Sequence, residues 1–216
     1  VKTSQDYALS EWLMDAPLWH QRLFLAALFG AELTTPRAVT DHSYNFTAPA
    51  LSLNKRAGFI ASGRHFLEQV ARMLEGFEVE TTAISQRAEQ INADGVRSHR
   101  LRLALSSQPA SLINLWSRIG FEYNHKRQQL GLLAVEYLKR KDMVVELRSQ
   151  AEREAQAMQG AGVAPQQIFA ELEGEHINRR FLQRTLYEGR QTAARVNSRF
   201  ETFDQFCQRA ITGIAG

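Results

Sequence analysis

Residues 23–33 read LFLAALFGAEL, and this stretch decides the fold because it is apolar on nearly every face of a helix. Arg22 is the only charged residue between position 17 and Glu32. Pro36 lies just beyond the stretch, and proline neither continues a helix nor favours helical geometry in the residue before it. We therefore predict a buried helix over residues 17–33.

The residues that follow this helix alternate between strand-like and helix-like patterns. They predict two short strands within 44–54 broken at Pro49, a helix over 62–74 closed by Gly76, a hairpin of 77–85 with 97–106, and a helix from Pro109 to Gly120. The order is helix, two strands, helix, two strands, helix. We expect an α+β domain over residues 1–135, with one curved antiparallel sheet whose far face carries polar and basic side chains.

A helical tail follows the α+β domain. A long charged helix is predicted from residue 125 to 158, with 136–160 as a connecting helix, and the glycines at 160 and 162 break it. Residues 161–216 then contain two short helices around Gly174 and a last helix carrying Phe203 and Phe206. Two helices joined by a short glycine turn fit a DNA-binding helix-turn-helix, and they fit any small helical subdomain as well.

The composition excludes several classes of protein. With 216 residues, 44% hydrophobic and 23% charged, the chain is an ordinary globular protein. Its longest apolar run falls far short of the roughly 20 residues of a membrane span, and its start has no signal-peptide core, so we expect a cytoplasmic protein without membrane contact. The single cysteine, Cys207, excludes an internal disulfide and a cysteine-based zinc site.

The cations are unevenly divided between the two basic residue types. The chain has 21 arginines and five lysines at a net charge of +3. Arginine suits bidentate contacts to phosphate and guanine, which favours a nucleic-acid partner. A GC-rich genome would produce the same excess of arginine, so this observation leaves both explanations open.

Residues 25–33, LAALFGAEL, resemble the signature helix of the LAGLIDADG homing endonucleases, including those embedded in inteins. The α-β-β-α-β-β-α order with its saddle-shaped antiparallel sheet is that family's fold and covers about residues 17–135. The blocks at 11–17 and 112–121 also resemble segments that flank the motif in intein endonucleases. Glu32 replaces the more frequent aspartate, and Leu33 replaces the final glycine of the motif.

The resemblance implies a site-specific endonuclease that hydrolyses double-stranded DNA with Mg²⁺. The alternative is a catalytically inactive DNA-binding regulator or relic with the same fold. Glu32 matches the metal-binding acid, and a carboxylate at the C-terminal end of a helix is itself disfavoured by about 0.3–1 kcal/mol unless a cation compensates it. Lys2 or Lys126 matches the basic residue of the active site.

The small residues of the same helix suggest how it could be paired. Ala26 with Gly30, and Ala27 with Ala31, form a smooth strip that a second helix could approach closely. The chain contains one such motif, because the echo at residues 132–137 lacks the small residues. We therefore expect either a homodimer or an N-terminal half that lies outside this chain.

The resemblance also predicts which residues contact double-stranded DNA. On the sheet and at its strand ends they are Ser52, Asn54, Lys55, Arg56, Gln86, Arg87, Arg97, Arg100 and Arg102, and in the tail they are Asn178, Arg179, Gln183 and Arg184.

Overall fold

The computed structural model describes residues 4–39, 42–91, 93–189, 195–196 and 199–214. The chain divides into two compact units, Val1–Glu136 and Tyr137–Gly216. Residues 137–160 of the predicted connecting helix lie in the second unit, together with the tail. Within the described part of the chain, no helix has both the length and the apolar character needed to cross a membrane.

The first unit combines helices and strands. Its elements are α1 (Glu11–Met14), α2 (Leu18–Glu32), β1 (Ala38–Val39), β2 (His42–Phe46), β3 (Ala50–Arg56), α3 (Ile60–Glu75), β4 (Ser85–Ile91), β5 (Arg97–Ala104), α4 (Pro109–Asn114) and the start of α5 (His125–Gly160). The apolar helix predicted over 17–33 is α2, and Leu25 and Phe29 are fully buried. Three strands lie between α2 and α3 instead of the two predicted, because the two-residue strand β1 lies outside the predicted range of 44–54.

The strands form two sheets and not the single curved sheet predicted. β1 pairs only with β2, while β5 lies between β3 and β4 in an antiparallel sheet of three strands. Leu53 pairs with Leu101 and Leu51 with Leu103, and all four leucines are buried on the face toward α3. The opposite face of this sheet, here called the outer face, carries the alternate residues.

The first strand of the predicted hairpin is displaced. We expected it over 77–85, but β4 begins at Ser85. Glu78 has a φ of 58°, a left-handed conformation that an extended strand cannot contain, and Phe77 and Val79 on either side of it are buried in the core. The β-branched residues that suggested a strand therefore lie in an irregular segment. This segment pairs with the sheet through an isolated bridge between Thr81 and Leu105.

The helix predicted after Pro109 is present and changes its winding. α4 continues into a π-helical turn over Leu115–Ile119, and the chain reverses at Gly120 with a φ of 74°. Leu112 and Trp116, members of the predicted apolar stripe, are buried. The wider turn was not predictable from the spacing alone, since the same residues also fit an α-helix.

An extended N-terminal segment lies across α3 and is held by side chains two helical turns apart. The hydroxyl of Ser62 accepts from the backbone N–H of Tyr7 (2.7 Å) and donates to its carbonyl (3.2 Å). The amide of Gln69 makes the same pair of bonds with Leu9, at 2.8 and 3.0 Å. These side chains satisfy backbone groups that a neighbouring strand would otherwise have to satisfy.

The second unit is helical, with α6 (Pro165–Leu172), α7 (Arg179–Tyr187) and α8 (Phe203–Ile214) following α5. One core joins α5, α6 and α7, and it contains Ala151, Ala155, Ile168, Phe169, Phe181, Leu182 and Leu186. A second cluster forms around Tyr137, whose ring contacts Phe200, Phe203 and Phe206 at centroid distances of 5.4–5.6 Å. The predicted helix over 175–187 begins only at Arg179.

Candidate nucleic-acid interface

The outer face of the three-stranded sheet presents polar side chains in two cross-strand rows. One row consists of Asn54, Arg100 and Arg87, which are register partners on β3, β5 and β4. The next row is formed in the same way by Ser52, Arg102 and Ser85. The three arginines are exposed. As predicted from the alternation with the leucines, Arg100 and Arg102 therefore point away from the core.

Acidic side chains balance part of the positive charge on this face. Arg100 pairs with Glu89 at 3.3 Å, and Arg56 at the end of β3 pairs with Asp94 at 2.6 Å. The backbone N–H of Val96, and secondarily Arg56, hold the pKa of Asp94 below its usual value. For Arg87 and Arg102, no acidic partner occurs within the described ranges. These two guanidiniums are therefore available to an anion.

Two of the residues predicted on this face point to the other side of the sheet. Lys55 is fully buried, its Nζ donates to the carbonyl of Gln5 at 2.8 Å, and burial lowers its pKa. Gln86 lies on the α3 side, where its Oε1 accepts from Arg64 at 3.4 Å. Both predictions were wrong about the face because the strand period of two places Lys55 with Leu53 and Gln86 opposite Leu101.

The remaining predicted sheet residue, Arg97, stands at the start of β5. It is exposed and pairs in register with Ile91, beyond an irregularity in the β4 ladder. By the strand period of two it shares the side of His99 and Leu101, so it does not belong to either row of the outer face and was also predicted on the wrong side.

The C-terminal end of α2 is occupied by groups of the same chain. Arg127 donates to the carbonyls of Phe29 and Gly30, both at 3.1 Å, and Asn124 donates to the Gly30 carbonyl at 2.9 Å. A guanidinium at this position counteracts the negative end of the helix dipole. The C-terminal end of α2 therefore has a compensating cation from within the chain, contrary to the expectation that Glu32 needs an external one.

The structure does not assemble a metal centre around Glu32, which is exposed. In the portion of the chain that can be described, no three histidine, cysteine or acidic side chains are grouped so that they could hold a metal ion. Lys126 is exposed in the first turn of α5, and Lys2 lies outside the described residues. The described residues of one chain therefore contain no group of side chains that fits a magnesium site, and the roles of Glu32, Lys2 and Lys126 stay predictions.

The strip of small residues on α2 is divided between two faces. Ala26 is fully buried, and its carbonyl accepts from the backbone N–H of Glu122 at 2.9 Å. A Cβ on Gly30 would lie 1.9 Å from the carbonyl oxygen of the same Glu122. These two positions are therefore filled by the chain itself and cannot contact another helix as predicted. Ala27 is half-buried and Ala31 is exposed.

The polar residues predicted in the tail have different roles. Asn178 is the N-cap of α7, and its Oδ1 accepts from the backbone N–H of Phe181 at 2.9 Å. Arg179 lies over the ring of Phe169 at 4.9 Å. Gln183 and Arg184 are exposed. Asn178 thus has a structural function first, because a capped helix start is stabilised by about 1 kcal/mol.

Sequence reasoning missed two residues on the same exposed face of α7. Arg180 and Tyr187 lie at the helical spacing of Gln183 and Arg184, and both are exposed. The i, i+3, i+4, i+7 spacing of these four positions is visible in the sequence and could have identified them.

Comparisons with known proteins return relatives but no family. No protein-family model matches the chain, and no solved structure matches it. A tRNA-splicing ligase RtcB of Methanocaldococcus jannaschii is 32% identical over 211 residues, which cover 96% of this chain and 21% of the ligase. A tRNA-splicing ligase RtcB of Pyrococcus furiosus is 29% identical over 96% of this chain and 20% of that protein.

A relative of a different name shares part of the same segment. The DNA-directed RNA polymerase subunit Rpo1N of Methanocaldococcus jannaschii is 29% identical over 153 residues, covering 68% of this chain and 10% of the subunit. The chain thus spans about a fifth of the length of the ligases that it matches and a tenth of the polymerase subunit.

These names contradict the assignment to the LAGLIDADG homing endonucleases. The relatives that match almost the whole chain are named as RNA ligases and not as DNA endonucleases. The DNA-cleaving activity, the alternative of an inactive relic of that fold, and the intein origin are therefore not carried forward.

Proposed function

We propose that this chain is a nucleic-acid-binding segment of a larger protein and that the outer face of its three-stranded sheet binds the phosphate backbone of a double helix. The exposed guanidiniums of Arg87 and Arg102 carry this proposal. They lie on the same polar face, where Arg100 is the register partner of Arg87 and stands two residues before Arg102 on β5. Arginine is the side chain whose fork geometry best matches a phosphate.

The distribution of the segment among its relatives supports a binding role. A tRNA-splicing ligase and an RNA polymerase subunit bear names of different activities, yet the first matches 96% of this chain and the second 68% of it. A segment common to both does not account for the difference between ligation and polymerisation. Contact with nucleic acid is a property that both names imply. The cytoplasmic location expected from the sequence is part of this proposal.

The outer face binds phosphate groups in this proposal, and phosphate groups occur in duplex DNA and in folded RNA alike. The sequence predicted double-stranded DNA, whereas the ligases are named for tRNA. Both nucleic acids are therefore used as probes.

The predicted homodimer or missing N-terminal half also remains a proposal. The face of α2 left for such a contact carries Trp19 and Leu23, which are 61% and 44% exposed.

A salt titration of binding tests the proposal. Replacing Arg87 and Arg102 by alanine removes the two guanidiniums that carry the proposal, and each lost phosphate contact flattens the plot of log K against log salt by about 0.9 for duplex DNA. We expect weaker binding and a flatter slope, measured by fluorescence anisotropy with a labelled DNA duplex and with tRNA. Arg72→Ala, on the exposed side of α3, is the matched control because Arg72 lies on the helix that covers the opposite face.

The two outcomes are clearly separated. A flatter slope for R87A/R102A with an unchanged slope for R72A supports the outer face, and the probe that shows the difference identifies the nucleic acid. Equal affinity and equal slope for the double variant and the parent would refute the proposed surface.

A direct part in RNA ligation is the second candidate, because the relatives that match 96% of this chain are named tRNA-splicing ligases. Joining of two tRNA halves by the isolated chain would support it. Binding of either probe without joining would favour the proposal made above.

A further inference from the structure

Helix α7 in the second unit has two faces of opposite character. Phe181, Leu182 and Leu186 are buried in the core shared with α5 and α6. The other face exposes Arg180, Gln183, Arg184 and Tyr187, which span two turns. Of these four, Arg184 has a close partner in Glu188 at 3.2 Å, an exposed pair that contributes little to stability. The exposed face is therefore not explained by the folding of the helix.

Contacts at the start and on the buried side of α7 hold this helix in place. Asn178 caps its start, and the guanidinium of Arg148 from α5 lies 4.0 Å from the centre of the Phe181 ring while donating to the carbonyl of His176 in the preceding turn. Arg148 is itself buried. The turn between α6 and α7 is therefore tied to α5 by a buried side chain, which presents the exposed face in one orientation.

The chemistry of this face is that of base recognition. Glutamine can bond to the N6 and N7 atoms of adenine with both ends of its amide, and arginine can do the same with O6 and N7 of guanine. The row contains one glutamine between two arginines, followed by a tyrosine hydroxyl that can reach a phosphate. All of these side chains donate hydrogen bonds, and the arginines add positive charge that complements a nucleic acid.

We propose that α7 enters the major groove of duplex DNA and reads base edges with Arg180, Gln183 and Arg184. The groove of B-form DNA is about 12 Å wide and admits a helix, which is about 10–12 Å across with its side chains. The major groove of A-form RNA is too narrow and deep for such reading, so the proposal commits to DNA. This inference rests on the proposed function and adds sequence preference to it.

Selection from a pool of DNA duplexes with a randomised centre tests this inference on the whole chain. We expect the parent to select a short sequence and Gln183→Ala to lose about tenfold in affinity for it, the loss typical of one bidentate base contact. Its affinity for unselected duplexes and its salt slope are expected to stay unchanged. Gln156→Ala is the matched control, because Gln156 is exposed on α5 and away from the shared core.

Since Gln183 is exposed, its replacement is not expected to alter folding, and equal thermal unfolding by circular dichroism checks this. A parent that binds DNA without selecting any sequence would overturn the role of α7 and leave the outer sheet face intact. Equal losses with Q183A and Q156A, or the same loss on double-stranded RNA, would also overturn it. A parent that binds no duplex at all would refute both proposals.

Discussion

Gly30 is the position where one added methyl group should have the largest effect on the first unit. Its Cα faces the loop around Glu122, which is more than 90 residues away in the chain and packs directly on α2. Gly30→Ala places a Cβ 1.9 Å from the carbonyl oxygen of Glu122, whereas ordinary contact begins near 3.4 Å. The helix and the loop would therefore have to separate by about 1.5 Å.

The expected cost follows from the contacts at that point. Two of the hydrogen bonds between α2 and the loop lie closest to this contact, from Glu122 N–H to the Ala26 carbonyl and from the Asn124 amide to the Gly30 carbonyl, both 2.9 Å long. Their loss costs about 1 kcal/mol each. Overpacking adds about 1–3 kcal/mol, and the better helix propensity of alanine returns about 1 kcal/mol. We expect Gly30→Ala to lower the free energy of unfolding by about 2–4 kcal/mol.

Urea unfolding followed by tryptophan fluorescence measures this change in the right part of the molecule. All three tryptophans, at positions 12, 19 and 116, lie in the first unit. Gly58→Ala is the control, because Gly58 lies in the first unit and a Cβ there meets no atom within 4 Å, so its midpoint should stay close to that of the parent. If Gly30→Ala were as stable as Gly58→Ala, the packing of the loop on α2 would be refuted.

Two further predictions concern side chains that hold segments in place. Gln69→Glu keeps the acceptor for the N–H of Leu9 but loses the donor to the Leu9 carbonyl. We therefore expect faster cleavage near Leu9 in limited proteolysis, and an unchanged rate would contradict the role of Gln69 in holding the extended N-terminal segment on α3. Glu201 pairs with Arg140 and Arg209, and the Arg209 guanidinium foremost holds its pKa below the usual value. The stabilisation is therefore present above the carboxyl's ordinary pKa and is lost as the pH falls through its lowered pKa in the folded state. Glu201→Gln should lower the thermal midpoint, measured by circular dichroism, at pH 7 and by a smaller amount at pH 3, whereas an equal effect at both would refute the ion pairs.

Several features of this protein were readable from short stretches of sequence. The apolar run and Pro36 located α2, and alternation with the leucines of β5 placed Arg100 and Arg102 on the outer face. The same alternation predicts that Lys55 faces inward, but we expected an exposed side chain because lysine is usually exposed. The resemblance of residues 25–33 to a known motif was a weaker guide, since the comparisons led to relatives with other names.

Sequence by itself determined the positions of most helices and strands, because helix periodicity, strand alternation and proline act within a few neighbouring residues. Only the tertiary structure decided that β3 pairs with β5 and not β2, and that the loop at Glu122 packs against Gly30. It likewise decided that the guanidinium of Arg127 donates to the last carbonyls of α2. These outcomes depend on which distant surfaces pack together, and no signal within one element specifies its partner across the chain.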